Sequence, residues 1–457
     1  MLLERIVSEG LAHNSYFIGS GTEAAVIDPR RDCDIYSDLA ERNGLSLTHI
    51  FETHRNEDYA VGSCELAART GAEIFHGAGL PFQYGTPARE GDRFRLGSLE
   101  ITVRETPGHT VESLSFILTE TQSPDLPLLV FTGDLLFSGD TGRTDLGGEG
   151  RGKEMAGAMH DSLTRAILPL PDSAILCPAH GAGSVCGGEI SDLPVTTLGY
   201  EKKTNPELSL AREDFIRKKI AENQYVPPYF RKMEDGNLNG WSRIRRLPDL
   251  RMIHPADLKK IRGTDVQIVD IRSPTAFAGG HIPGSISLWR DGLPGFMGWI
   301  LDYDRPILII DDFNLDLDSV KRHFVRLGYD NLSGVLAGGF PSWFKAAGEI
   351  ASFPAVPVRE AARQIGEAQA PFVLDVRDRK NRENRGHLTG DYHSYVGEIP
   401  RHLAEIPEDR QIFVYCDAGF KSSLAASILR NHGFRDVTSI LGGFTAWENA
   451  GLPIDLS

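Results

Sequence analysis

The sequence predicts a multidomain α/β protein, and three observations carry that expectation. The chain has 457 residues, more than one ordinary core organises when domains run to about 100–200 residues each. Short β-branched runs alternate with helical stretches along its length, the pattern of sheets covered by helices. The C-terminal part also contains an internal repeat of domain size. "VDIRSPTAFAGGHIPGSISL" (269–288) is echoed by "LDVRDRKNRENRGHLTGDYH" (374–393), and "LAGGFPSWFKAAG" (336–348) by "LGGFTAWENAG" (441–451). Asp270 and Asp375 are 375 − 270 = 105 positions apart, and Gly338 and Gly442 are 442 − 338 = 104 apart.

Taken in order, the chain up to about residue 195 reads as the strands "NSYFIG", "AAVIDP", "LTHIFETH", "LEITVRETPGH", "SLSFILT", "LLVFTGDLLF" and "SAILCPAH", with helices such as "DIYSDLAERNG" and "SCELAARTG" between them. Several of these strands end in His or Asp, which gathers polar groups at one edge of a layered structure. From about 200 to 250 the chain is charged and partly helical ("LAREDFIRKKIAENQ"), then carries "VPPYF" and "DGNLNGW", read as a closing helix followed by a linker. In the repeat, "VQIVDI", "PILIID", "PFVLDV" and "QIFVYC" are strands, and "DSVKRHFVRLG" and "SSLAASILRNHG" are helices closed by glycines suited to a C-cap. This alternation implies parallel sheets with helices on both faces. The expected domains are 1–250, 251–352 and 353–457.

Composition excludes several classes. A formal net charge of −15 repels phosphate backbones, and no Lys/Arg-rich run interleaved with aromatics offers a local exception, so nucleic acid is not an expected partner. No segment approaches the roughly 18 apolar residues that a membrane span needs. Glu4 interrupts the apolar start "MLLERIVSEG" where a secretory signal would continue, so a cytoplasmic protein with no membrane partner is expected. The five cysteines, Cys33, Cys64, Cys177, Cys186 and Cys416, are odd in number and widely spaced, which argues for free thiols in a reducing compartment.

Four polar clusters stand at strand ends: "THRNED" with His54 and Asp58, "TPGHT" with His109, "TGD" with Asp134, and "CPAHG" with His180. In this order they resemble the metallo-β-lactamase superfamily, an αββα sandwich whose loops converge on one or two metals. The first cluster of that family reads H-x-H-x-D-H; here Asn56 and Tyr59 stand where its second and third histidines would be. The resemblance implies that His54, His109 and Asp134 reach one metal, and two imidazoles with one carboxylate form the facial set of non-haem Fe(II) oxygenases. The mononuclear branch of the superfamily contains the persulfide dioxygenases, so one Fe(II) per chain is expected, with zinc the less favoured alternative. Asp58, His180, Asn56 and Tyr59 are expected around those ligands, orienting them or bound water. Cys186, six residues past His180, lies on a loop expected to border the metal and is a candidate to carry sulfur there. Cys177 is expected to pack, and Cys33 and Cys64 to be structural.

The second repeat copy carries "VYCDAGFKSSLAASIL", a strand ending at Cys416, a short loop with a glycine, then a helix starting near Ser422. Backbone N–H groups of Asp417, Ala418, Gly419, Phe420, Lys421 and Ser422, with the positive end of the helix, surround Cys416 with partial positive charge that favours a thiolate or persulfide anion. Lys421 adds a full charge at the rim. With "LDVRD" before it and "LGGFTAW" after it, this C-x-x-G-x-K-S loop resembles the rhodanese sulfurtransferases, which implies that Cys416 bears the transferred sulfur. The first copy differs at that point. Cys416 lies 416 − 375 = 41 residues after Asp375, and the same step from Asp270 reaches 270 + 41 = 311, an aspartate. Asp311 opens the acidic run "DDFNLDLDSV", which lacks the glycine-lysine loop, so this copy is expected to be catalytically silent.

Taken together, the order of domains resembles the fused persulfide dioxygenase–sulfurtransferases of sulfide detoxification. It implies oxidation of a low-molecular-weight thiol persulfide, of glutathione or coenzyme A, to sulfite with O₂. It also implies sulfur transfer among persulfide, sulfite and thiosulfate at Cys416. A homo-oligomer is compatible with the sequence. Two rivals stay open: a glyoxalase II-like thioester hydrolase, which needs two metals or a zinc-selective site, and a sulfur-relay scaffold with an idle metal site.

Overall fold

A computed structural model of the chain describes residues 1–456 apart from positions 149, 223, 262 and 264. It divides into two compact units, Met1–Leu247 with Val325–Gly328, and Pro248–Phe324 with Tyr329–Ser457.

The first unit is built on two six-stranded sheets. One runs in chain order through β1 (Leu2–Ser8), β2 (His13–Ser20), β3 (Glu23–Ile27), β4 (Ser46–Phe51), β5 (Glu73–Gly77) and β6 (Thr86–Ala88). The other runs in reverse chain order from β12 (Thr196–Thr197) through β11 (Ile175–Pro178), β10 (Ser123–Gly133), β9 (Leu114–Glu120) and β8 (Leu99–Glu105) to β7 (Arg93–Leu96). Period-two patterning makes the layers. Ile18, Ala25, Ile27 and Phe51 meet Leu99, Ile101, Val103, Phe116 and Phe131 in the core between the sheets. Their chain neighbours turn outward: Phe17, Val26 and Ile50 pack on Tyr36, Ala40 and Leu66 of the helices beyond the first sheet. Ile117, Val130 and Leu176 pack on Met159, Leu163 and Phe215 beyond the second. The result is the expected αββα sandwich.

Two stretches depart from the expectation. "MLLERIVSEG" contains β1, the antiparallel edge strand against β2. The segment read as a linker contains the helix Phe230–Asn239, which buries Phe230, Met233 and Asn237 at helical spacing. Its prolines precede a helix of the first unit that contains Gly236 and ends before Gly240, and Asn237 braces the loop that carries His54.

The second unit holds two five-stranded sheets whose strand pairs are all parallel. The strands are β13 (Met252–Ile253), β14 (Gln267–Asp270), β15 (Ile286–Ser287), β16 (Ile307–Ile310) and β17 (Leu332–Leu336), then β18 (Ala355–Pro357), β19 (Phe372–Asp375), β20 (Tyr392–His393), β21 (Ile412–Tyr415) and β22 (Val437–Leu441). Their orders, β13-β17-β16-β14-β15 and β18-β22-β21-β19-β20, are identical when each strand of one is matched to the strand five later in the other. The D-x-R sequence that marks the repeat is a buried structural lock. Arg272 Nη2 donates to Asp270 Oδ2 and to Gly280 O, both at 2.7 Å, and Arg377 Nη2 donates to Asp375 Oδ2 at 2.8 Å and to Gly386 O at 2.7 Å. Each guanidinium also lies over a ring, of Phe340 at 3.7 Å and of Phe444 at 4.0 Å. Among the described residues no helix is long and apolar enough to cross a membrane.

Candidate metal centre and sulfur loop

The C-terminal ends of β4, β8, β10 and β11 bring His54, His109, Asp134 and His180 together, all fully buried. Each imidazole is held by its Nδ1. Thr53 donates to Asp28 twice, from its backbone N–H to Oδ1 at 2.7 Å and from Oγ1 to Oδ2 at 2.8 Å, so the hydroxyl is left to accept from His54 Nδ1 at 2.8 Å. His109 Nδ1 donates to Arg143 O at 2.9 Å, and His180 Nδ1 to Asp134 Oδ1 at 2.7 Å. A proton fixed on Nδ1 leaves the Nε2 lone pair for a ligand. Gly133, at φ +54, lets the end of β10 come in against this relay, because a Cβ there would stand 2.8 Å from Thr53 Cβ.

The freed imidazole atoms each approach Asp134, although the group of ligand atoms lying within 4.8 Å of one another takes Glu57, His109, Asp134 and Cys186 and leaves out His54. Asp134 Oδ2 lies 3.8 Å from His54 Nε2 and 3.5 Å from His109 Nε2. None of the three makes a hydrogen bond among the described residues, a costly state for buried polar atoms unless a cation completes it. Electrostatics points the same way, since Glu57, Asp58 and Asp134 are buried carboxylates that face imidazoles. Burial would raise Glu57, but His109 and His54 hold it down at about 2. Burial would lower His109, but Glu57 and Asp134 raise it to about 9. Burial lowers His54 to about 4 in spite of Asp134. A divalent cation would take the place of the His109 proton, so binding would release it.

The residues expected around His54, His109 and Asp134 have distinct places. His180 links Asp134 to Asp58, whose Oδ2 stands 2.9 Å from its Nε2. Asn56, at φ +26, turns its side-chain amide back onto His54 O at 3.0 Å. Tyr59 stacks on His13 at 3.8 Å between centroids and directs its hydroxyl to Asp28 O at 3.5 Å. Cys186 is completely buried at the cluster. Ligand atoms of Glu57, His109, Asp134 and Cys186 lie within 4.8 Å of one another, as do those of Asp58, His180 and Cys186. Burial, followed by Asp58, Glu57 and Asp134, pushes the Cys186 thiol far above its ordinary value. Cys177 and Cys33 belong to packed cores, and Cys64 is half-buried beside the latter. Sequence reasoning passed over Glu57, Thr53 with Asp28, Asn237 and Arg143. Asn237 Nδ2 donates to Asn56 O at 2.6 Å and Tyr59 O at 2.8 Å, gripping the loop from a helix far along the chain. Arg143 accepts from His109 while its backbone N–H donates to Cys186 O at 3.1 Å.

In the second copy, Cys416 follows β21 directly, and Gly419 N–H donates to its Sγ at 3.1 Å. Gly419, at φ +92, caps the helix Phe420–Asn431, which starts two residues before the expected Ser422. Ser422 Oγ lies 3.9 Å from the sulfur. Lys421 is paired with Asp417 of its own loop at 2.7 Å and lies 3.9 Å from Asp378, so much of its charge is answered locally. Phe444 N–H donates to Cys416 O at 2.7 Å and Thr445 N–H to Asp417 O at 3.0 Å. Gly443 permits this approach, since a Cβ there would stand 2.1 Å from Cys416 O.

The first copy keeps that support without the nucleophile. Phe340 N–H donates to Asp311 O at 2.8 Å, and Gly339 has the same close approach to Asp312 O. The acidic run is held by an arginine that sequence reasoning missed: Arg290 reaches Asp311 Oδ2 at 3.3 Å, Leu315 O at 2.8 Å and Asp316 O at 3.0 Å. Next to it, Trp289 packs on Phe420 of the sulfur loop at 5.4 Å between centroids, so the first copy contributes to the surroundings of the second copy's loop.

Comparison with known proteins matches residues 9–180 to the metallo-beta-lactamase superfamily, and residues 254–346 and 358–450 each to the rhodanese-like domain. A crystal structure of a metallo-beta-lactamase from Staphylococcus aureus subsp. aureus COL superimposes with a TM-score of 0.66 and 32% identity, covering 74% of this chain and 99% of that one. The mouse (Mus musculus) protein "Persulfide dioxygenase ETHE1, mitochondrial" is 29% identical over 239 residues, 50% of this chain and 83% of its own. The hydroxyacylglutathione hydrolase of Rhodospirillum rubrum is 37% identical over 160 residues, 34% of this chain and 56% of its own.

Proposed function

We propose, from the premise that the chain belongs to the metallo-β-lactamase superfamily and carries two rhodanese-like domains, that it is a persulfide dioxygenase joined to a sulfurtransferase. One Fe(II) would be held by His54, His109 and Asp134, in a first domain of 1–250; 251–352 is the silent copy and 353–457 the active one. The carrying observation is that His54 Nε2 and His109 Nε2 stand 3.8 Å and 3.5 Å from Asp134 Oδ2, none of the three buried atoms having a hydrogen bond among the described residues, at a site with Asn56 and Tyr59 in place of two histidines.

Iron held by these two imidazoles and the carboxylate would supply the redox chemistry between a soft persulfide anion and O₂. The protein's part is orientation. Thr53 and Asp28 fix the tautomer of His54, Arg143 O fixes His109, and His180 holds Asp134 so that its second oxygen faces the site. The overall change takes a thiol persulfide, dioxygen and water to the free thiol, sulfite and protons. At Cys416, the thiolate attacks the outer sulfur of a persulfide, the thiol leaves, and sulfite removes that sulfur as thiosulfate; the reverse direction balances equally. Gly419 N–H and the helix behind it favour the anionic forms of Cys416. Glutathione or coenzyme A persulfide in the cytoplasm is the substrate class this reading favours.

Elemental analysis and an oxygen electrode test the reading. Anaerobically purified protein should carry one iron per chain and consume O₂ on addition of glutathione persulfide or coenzyme A persulfide. Two tightly held zinc ions with no oxygen uptake would defeat it. That outcome belongs to a second reading, thioester hydrolysis, which one observation favours: Asp58, His180 and Cys186 form a second group of ligand atoms beside the first.

A further inference from the structure

We propose that Glu57 is a fourth protein ligand to the metal, so that the centre is built from two imidazoles and two carboxylates. The inference rests on the reading of His54, His109 and Asp134 as a metal site and departs from it in the number of ligands.

Glu57 occupies a position inside the first cluster where the family's motif leaves the residue free, yet its side chain is 1% exposed. A buried carboxylate needs a cation or several donors. Among the described residues it pairs with no lysine or arginine; its neighbours are His109 Nε2, 3.0 Å from Oε1, and Cys186 Sγ, which donates to Oε1 at 3.4 Å. The 3.0 Å approach is too poorly aligned to give His109 Nε2 a hydrogen bond. Metal–ligand bonds of about 2.1 Å place adjacent ligand atoms roughly 3.0–3.4 Å apart. The separations of 3.0 Å for Glu57 to His109 and 3.5 Å for His109 to Asp134 are close to those of ligands surrounding one ion, and the three share one group of ligand atoms within 4.8 Å of one another, with His54 outside that group and 3.8 Å from Asp134.

The backbone explains why residue 57 takes this role. Asn56 adopts φ +26, a conformation that asparagine tolerates better than most residues. Its side-chain amide is tied to His54 O and its carbonyl to Asn237. The loop is therefore braced with Glu57, one residue past the missing histidine, at the cluster. Glu57 would add a hard anionic oxygen to the set and leave fewer positions open to a persulfide and O₂.

The test uses the full chain, stripped of metal and titrated with cobalt(II) against a competing chelator, with Glu57→Gln, Glu57→Asp, Cys186→Ser and His109→Ala compared with the parent. Outer-sphere partners are worth about 10–100-fold in affinity. As a ligand, Glu57 should give a loss above about 100-fold in Glu57→Gln with a changed visible d–d spectrum. Glu57→Asp keeps the charge and withdraws the oxygen; it should lose at least about tenfold and change the d–d spectrum, and that spectral change carries the test if Glu57→Gln does not fold. A smaller loss, an unchanged spectrum, or a larger loss in Cys186→Ser than in Glu57→Gln overturns the proposal. If His109→Ala releases cobalt while Glu57→Gln does not, this inference alone fails. If His109→Ala binds as tightly as the parent, the proposed metal site itself fails.

Discussion

Replacing Thr53 by valine isolates the orientation of one metal ligand from its chemistry. The change swaps a hydroxyl for a methyl of similar shape in a fully buried position and removes two hydrogen bonds, to Asp28 Oδ2 and from His54 Nδ1, each 2.8 Å. Each buried partner left unsatisfied costs about 1–3 kcal/mol, so with two such partners the metal-free protein should lose roughly 2–6 kcal/mol in urea unfolding. His54 keeps its place but no longer its tautomer, and losing such support weakens metal binding by about 10–100-fold, or about 1.4–2.8 kcal/mol. Cobalt(II) competition reads the affinity directly, and Thr53→Ser, which restores the hydroxyl, should return it to near the parent value. A second readout is pH. Burial raises Asp28 from 3.8 to about 7 even though Thr53 lowers it through two hydrogen bonds. A raised folded value means that Asp28 stabilises the metal-free fold at low pH and that this contribution is lost as pH rises from about 4 through 7. Removing the Thr53 hydroxyl raises the value further and carries the loss to higher pH. Affinity within about threefold of the parent in folded Thr53→Val, or an equal loss in Thr53→Ser, would refute the tautomer argument.

Three further outcomes follow from the second unit. Cys416→Ser should abolish sulfur transfer from thiosulfate to cyanide while leaving persulfide-dependent oxygen uptake intact; collapse of oxygen uptake in the folded variant would show that the two chemistries are not independent. Asp311→Cys in a Cys416→Ser background should show less than about 1% of the parent sulfurtransferase activity, because the thiol would gain Arg290 but no inward N–H like that of Gly419; substantial turnover would show that the loop is not what makes the cysteine reactive. Arg272→Met leaves Asp270 buried without its ion pair and should cost about 3–5 kcal/mol in urea unfolding of the second unit, and a cost below about 1 kcal/mol would refute the role of the D-x-R lock.

What was legible in the sequence is what local rules determine. Short β-branched runs marked the main strands, and His54, His109, Asp134 and His180 stood out because each directly follows or lies just beyond a strand of the sandwich. Cys416 was legible because strand, glycine and helix are contiguous and make the site among themselves. Glu57 was hidden because spacing along a loop does not determine which side chain turns inward. That choice is made by the backbone of Asn56 and by Asn237, a residue roughly 180 positions away on a helix disguised by the prolines before it and the glycine within it. Arg290 was hidden for the same reason: nothing near Asp311 in sequence announces a cation that arrives from the end of another strand.

The two copies in the second unit turn this distinction into an argument about what can change. Both retain the D-x-R lock, the ring beneath the arginine and the backbone bond to the nucleophile position, from Phe340 in one and Phe444 in the other. They differ in the loop between strand and helix, where one presents Cys416 to a backbone N–H and the other ties an aspartate to an arginine. A site made of contiguous residues can thus be lost while its scaffold persists, because the scaffold's energy lies in contacts the loop does not share. The metal centre lacks that separability. Its proposed ligands come from three strand ends, and their orientation depends on Asp28, Thr53, Arg143 and Asn237, so the presence of Asn56 and Tyr59 where the family's motif has histidines alters the proposed ligand set without freeing the loop. A loop still braced at that cost, with a buried carboxylate brought to the cluster, is better explained by a different coordination than by an abandoned site.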